Sequence, residues 1–195
     1  SYRDLLQPKW KGKISINDPT MPGAGGKWFG MALWAKMVDV DYMKKLAEQE
    51  PVIVTDTRLQ VDWLAQGKYP LAIAAKTGVF TDFVAAGAPV QRLPAPVEGA
   101  YLSSGGGNVA MVKGRPHPNA AKLYLNWLLS QEGQTVFSVA SGRQSRRLDV
   151  AKDHIDPTQI IEPGTKYANG DDEEYLSGEG KYYDIAREIF GKFMR

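Results

Sequence analysis

The residues whose types and spacing can do chemistry begin with one glycine-rich stretch, Asp18-Pro19-Thr20-Met21-Pro22-Gly23-Ala24-Gly25-Gly26-Lys27. It follows a short alternating run and precedes an apolar one. That is the strand-to-helix context in which free backbone N–H groups and the helix dipole receive an anion. The spacing departs from both familiar phosphate loops. Counting back from Gly26-Lys27, Met21 stands where a Walker loop needs its first glycine, and Trp28 stands where Ser or Thr would hold magnesium. Trp28 also replaces the third glycine of a dinucleotide fingerprint. The stretch therefore either receives an anion or only shapes the helix entrance.

The rest of the inventory is thin for catalysis. With no cysteine in 195 residues, thiolate chemistry, cysteine-based zinc sites and disulfides are excluded. His117 lies between two prolines, His154 lies beside Asp153, and no G-x-S-x-G elbow exists, so a hydrolytic triad is not expected. A metal held by His154 and Asp156 lacks further ligands at suitable spacing, and no cofactor is expected. Arg143, Arg146 and Arg147 suit a carboxylate or phosphate clamp, or else face water. Tyr101 offers a flat face and a hydroxyl to a ligand, or a packing surface. Lys and Arg number 24 against 22 Asp and Glu, a formal charge of +2, too balanced to suggest a nucleic-acid partner. No apolar run approaches the roughly 18 residues of a membrane span. The start, Ser1-Tyr2-Arg3-Asp4, has no hydrophobic signal core and reads as the start of a processed or truncated product.

These residues need positioning elements, and periodicity supplies an α/β alternation with a largely parallel or mixed sheet flanked by helices. Residues 13–16 read as a strand ending in the turn Asn17-Asp18-Pro19, and residues 28–37 as a buried helix. A second helix follows Asp39 as N-cap, with Tyr42, Met43, Leu46 and Ala47 on one face. Residues 52–54, 71–74 and 90–93 read as strands, with helices at 59–66 and 79–86 closed by Gly67 and Gly87. Composition shifts over 94–107, the candidate hinge. Beyond it, 108–113 reads as a strand, 119–129 as a strongly apolar helix, and 131–140 as a helix entered at Ser130. Residues 141–180 are polar and weakly periodic, and 182–194 reads as a helix through Ile185, Ile189 and Phe193. The acidic run 171–174 reads as a solvated loop or a helix start.

Several separate stretches resemble one family. Asp4-Leu5-Leu6-Gln7-Pro8-Lys9-Trp10-Lys11-Gly12-Lys13-Ile14, the Asn17-Asp18-Pro19 turn, and Asp62-Trp63-Leu64-Ala65-Gln66-Gly67-Lys68-Tyr69-Pro70 are three of them. His117-Pro118-Asn119-Ala120-Ala121-Lys122 through Asn126-Trp127-Leu128-Leu129-Ser130-Gln131-Glu132-Gly133-Gln134 is a fourth. Together they look like the extracellular solute-binding proteins of ABC importers, in the iron(III)-type branch. Ser145-Arg146-Arg147-Leu148-Asp149-Val150 and the run from Pro163 to Tyr167 also resemble it.

The resemblance implies a periplasmic-binding-protein type II-like fold, with two α/β lobes joined by a hinge and closing on a solute. It implies residues 1–98 as a complete second lobe. It implies 99–195 as the hinge crossover and the C-terminal part of a first lobe whose N-terminal part is missing. It further implies a periplasmic or extracellular location, including a lipid- or membrane-tethered form, and an ABC permease as partner rather than an enzymatic role. The chain departs from iron-binding members at Ala74-Ala75-Lys76-Thr77-Gly78, where they carry adjacent tyrosines. The expected ligand is then a small anionic solute, received by Thr20, Gly23, Gly25, Gly26, Lys27, Arg58, Thr77 and Tyr101. Alternatives are a ferric-iron binder and a phosphate-ester hydrolase or transferase using the glycine-rich loop. Self-association of the chain is expected where apolar first-lobe surface lies uncovered.

Overall fold

A computed structural model describes every residue except 104–108, 156, 158, 159, 162, 163 and 195. In chain order its elements are β1 (Ile14–Asn17), α1 (Ala24–Trp34), α2 (Val40–Glu48), β2 (Val52–Val54), α3 (Thr57–Ala65), β3 (Leu71–Ile73) and α4 (Thr77–Ala85). There follow β4 (Ala100–Leu102), α5 (Pro118–Leu128), α6 (Gln131–Ser141), β5 (Tyr167–Asn169), α7 (Glu173–Gly178) and α8 (Gly180–Phe190). Contacts group Ser1–Ser103 with Thr165–Arg195 in one unit and leave Ser104–Gly164 as another. Thr165–Arg195 thus folds with the N-terminal residues. Of the glycine run read as a hinge, residues 104–107 lie outside the described residues.

In the first unit β1 is the middle strand of a parallel sheet in the order β2-β1-β3, with Ser15 opposite both Val52 and Ala72. Parallel sheets require cover on both faces, and all four residues of β1 are buried. Its one hydroxyl, on Ser15, donates to the Leu71 carbonyl at 3.3 Å. Ile14 and Ile16 meet Phe29 and Met31 of α1, Met43 and Leu46 of α2, and Phe190 of α8 in the core. The start of α2 follows its sequence cue. Asp39 accepts the Tyr42 N–H at 2.7 Å, and Tyr42, Met43, Leu46 and Ala47 are all buried. The second sheet, β4 with β5, is also parallel, so every ladder among the described residues is parallel and the mixed sheet is corrected. A sheet whose strands alternate with helices has no short hairpin to bring in an antiparallel strand.

Two expected strands are also corrected. Residues 90–93 form no strand, since Pro89 and Pro94 bracket them and remove ladder donors on both sides. Residues 109–112 form no strand and run into the turn at Lys113 and Gly114. The polar stretch contains two elements that periodicity missed, β5 and α7. Asp172 of the acidic run caps α7, accepting the Glu174 N–H at 2.9 Å.

The second unit is built on α5 and α6. Ser130 caps α6 by accepting the Gly133 N–H at 3.1 Å, and Gly142 closes it at φ 62°. The helix that reads as strongly apolar in the sequence, α5, buries none of its residues, and Leu123 is 73% exposed. Val150 and Ile155 supply this unit's buried large side chains.

The first unit's core is rich in tyrosine. Burial pushes the hydroxyls of Tyr2, Tyr42 and Tyr175 above their ordinary value and Tyr101 up to about 12. The folded chain therefore keeps protons that the unfolded chain releases near pH 10, so the unfolded state binds fewer protons and stability falls as pH rises. Full stability is expected below pH 10 and progressive loss between 10 and about 12. Tyrosinate absorbance followed beside circular dichroism checks this, since these hydroxyls should titrate together with unfolding and not before it.

Candidate functional site

Three parallel strands deliver three helices from one edge. The carboxyl ends of β1, β2 and β3 run through residues 18–23, 55–56 and 74–76 into α1, α3 and α4. Because β1 has β2 on one side and β3 on the other, the chain reverses its direction of sheet growth there. That makes the end of β1 a topological switch point, the place where open α/β sheets hold ligands.

At the centre, the glycine-rich loop uses much of its own donor capacity. Asn17 donates to the Val54 carbonyl at 3.3 Å and accepts the Gly25 N–H at 3.1 Å, and both bonds are buried. Asp18, itself buried, accepts the N–H of Thr20 at 2.8 Å and its hydroxyl at 2.7 Å. Gly25 is obligatory for contact. A Cβ there would stand 1.9 Å from the Asn17 carbonyl oxygen and 2.4 Å from that of Asp18. Gly25 and Gly26 are buried while Gly23 is exposed. Lys27 points away to the C-terminal segment, where its ammonium donates to the Gly170 carbonyl and lies 4.4 Å from the centre of the Tyr175 ring.

The flanking turns are more open. Asp56 caps α3, accepting the N–H groups of Arg58 at 2.8 Å and Leu59 at 3.0 Å. The exposed Arg58 guanidinium reaches across to α4 and lies 5.4 Å from the centre of the Phe83 ring, with no carboxylate against it among the described residues. The first turn of α4 is entered at Lys76 without a side-chain cap, which leaves its N–H groups to a ligand or water. Just before it Ala74 sits at φ 58°, a left-handed backbone that costs a residue with a Cβ about 1 kcal/mol. Arg58 meets α4 at Phe83, and α3 packs against α4, the helix that begins at Thr77. Thr20 and Gly23 lie in the loop before α1, and Gly25 and Gly26 in its first turn. Tyr101 lies elsewhere, in β4 against the core.

Other candidate chemistry resolves into structure. Ser138 is 1% exposed and donates to the Arg143 carbonyl at 2.6 Å, so its 2.8 Å contact with His154 has Nε2–H donating to the serine oxygen. A histidine in that state cannot take the serine proton. Arg147 forks onto Asp149 at 2.8 and 2.6 Å and donates to the Leu129 carbonyl, closing the end of α5. Asp156 lies outside the described residues, and no group of three or more acidic or histidine side chains suited to a metal occurs among those described. Sequence reasoning missed Asn17 and Gln60 as site builders. Gln60, fully buried on α3, donates to the Ile73 carbonyl at 3.0 Å.

Residues 5–135 match the family model described as bacterial extracellular solute-binding protein. An uncharacterized protein of Haemophilus influenzae is 28% identical over 189 residues, a match covering 91% of this chain and 51% of the relative. The chain thus spans about half the length of the curated relative it matches. No solved structure matches significantly. Among the described residues no helix is long and apolar enough to cross a membrane.

Two substitutions separate the loop's architecture from its surface. Gly25→Ala drives a Cβ into two backbone carbonyls and is expected to cost about 3 kcal/mol or more in urea unfolding. Lys27→Met removes the bond to Gly170 and the ring contact, and is expected to cost about 1–2 kcal/mol in the same measurement.

Proposed function

The chain belongs to the bacterial extracellular solute-binding protein family, and from that premise we propose that it binds a small anionic solute at the carboxyl edge of β2-β1-β3. Arg58 and the first turn of α4, with Thr77, receive the negative charge. Gly23 and the buried Thr20, Gly25 and Gly26 shape the adjoining wall, while Lys27 and Tyr101, turned to the C-terminal segment and the core, do not contact the solute. The carrying observation is an exposed arginine on α3 with no carboxylate partner among the described residues, packed on Phe83 of α4, the neighbouring helix whose first turn has no side-chain cap. The absence of tyrosine from residues 74–78 supports an anion over ferric iron.

In the full-length protein this edge forms one wall of a cleft between two lobes that closes on the solute, and closure presents the complex to an ABC permease outside the cytoplasm. The first of the two units is one lobe in this reading. The role is binding and delivery without turnover.

The test is calorimetry on the full-length protein with inorganic phosphate and sulfate, beside native mass spectrometry of unsupplemented protein for a co-purified anion. Binding of at least one anion is expected, weakened about tenfold or more by Arg58→Ala and several-fold by Thr77→Ala. Absence of any bound anion, or full affinity in Arg58→Ala, overturns the reading.

A further inference from the structure

Arg58 and Thr77 sit on different elements, so their separation must be set by something other than local helix geometry. Gln60 lies two residues beyond Arg58, on the inward side of α3, and is fully buried. Its Nε2 donates to the carbonyl of Ile73 at 3.0 Å and lies 3.5 Å from that of Ser15. Ile73 is the last residue of β3 and is followed directly by Ala74, at φ 58°, and the turn that delivers Thr77. One amide therefore ties the helix carrying Arg58 to the strand end that precedes Thr77, with the middle strand β1 as a third anchor.

The tie has a cost. The amide orientation follows from its two carbonyl partners, and it leaves Oε1 buried with no hydrogen-bond partner among the described residues. An apolar side chain of similar length would fill the same space without stranding an acceptor. What only the amide supplies is direction, a donor aimed at the end of β3.

Resting on the anion site described above, we propose that Gln60 is the positioning residue of that site, fixing Arg58 relative to Thr77 through its bond to the Ile73 carbonyl. Gln60 does not touch the solute. Asn17 does the matching work on the other side of β1, joining the end of β2 to the start of α1 through Val54 and Gly25.

The test uses the full-length protein with Gln60→Met, which keeps chain length and removes both the donor and the stranded acceptor. Inorganic phosphate affinity by calorimetry, amide hydrogen exchange over residues 74–80 and the urea midpoint are read together. Gln60→Met is expected to lose about tenfold in phosphate affinity and to exchange faster over residues 74–80, with the midpoint little changed. Gln60→Glu, whose buried carboxyl is favoured in the protonated form and can donate to Ile73, is expected to recover most of both. Unchanged affinity and unchanged local exchange in Gln60→Met overturn the proposal. So does a uniform rise in exchange with a lowered midpoint, which would mark a general packing role. If the parent protein takes up no phosphate, the anion reading fails on its own, and the exchange pattern of the two variants still decides whether Gln60 fixes the turn.

Discussion

The first unit depends on a four-residue strand that has no free side. β1 shares ladders with β2 and β3 and is buried along its whole length. A parallel strand in that position cannot leave a backbone group unpaired or a side chain unmatched without an energetic cost that so small a sheet can ill bear. Its polar side chains are therefore committed. Ser15 donates to Leu71 in β3, and Asn17 binds Val54 in β2 and Gly25 in α1. From these commitments follow the seating of α1 on the end of β1, the requirement for glycine at 25, and the placement of three helix starts along one edge.

The same commitments divide that edge into closed and open parts. At the start of α1 the chain supplies its own acceptor from Asn17, while the buried Asp18 ties down Thr20. An added anion would compete there with groups already in place. At α3 the cap is again internal, from Asp56. Of the three helix starts on this edge, that of α4 has no side-chain acceptor for its N–H groups among the described residues, and the cation of the neighbouring helix packs on its Phe83. Two equally charged residues thus have opposite meanings. Lys27 is drawn into a carbonyl and an aromatic ring, whereas Arg58 rests on a ring and keeps its donors outward. Guanidinium suits that position, since it can rest against an aromatic face while keeping its hydrogen-bonding edge.

What the sequence made legible was local. The cap at Asp39 and the buried face of α2 rest on residues within one or two turns of each other, and both match the structure. The strand-to-helix context of the glycine-rich stretch was equally legible, because alternation, turn and glycines adjoin. Roles set by distant residues were not. Lys27 finds Gly170 across 143 positions of chain, and nothing near Lys27 announces it. Gln60 reads as an ordinary helix residue until the end of β3 is placed beside it. The run 90–93 has strand-like composition, yet a strand exists only where a ladder forms, and these residues take no strand conformation.

The distribution of burial gives the two units different physical standing. Among the described residues, side chains at zero exposure, Ile14, Ile16, Phe29, Met31, Met43, Leu46 and Phe190 among them, all belong to the first unit. The second holds Val150 and Ile155 as buried large side chains, and leaves Leu123, Tyr124, Leu129, Val136 and Val139 each more than half exposed. Since apolar burial is the dominant favourable term in folding, most of the chain's resistance to unfolding resides in the first unit. The second should open at lower free-energy cost, with α5 exchanging its amides ahead of β1. An anion held between α3 and α4 would therefore rest on the part of the chain least able to fluctuate, where small differences in the placement of Arg58 and Thr77 are kept rather than averaged away.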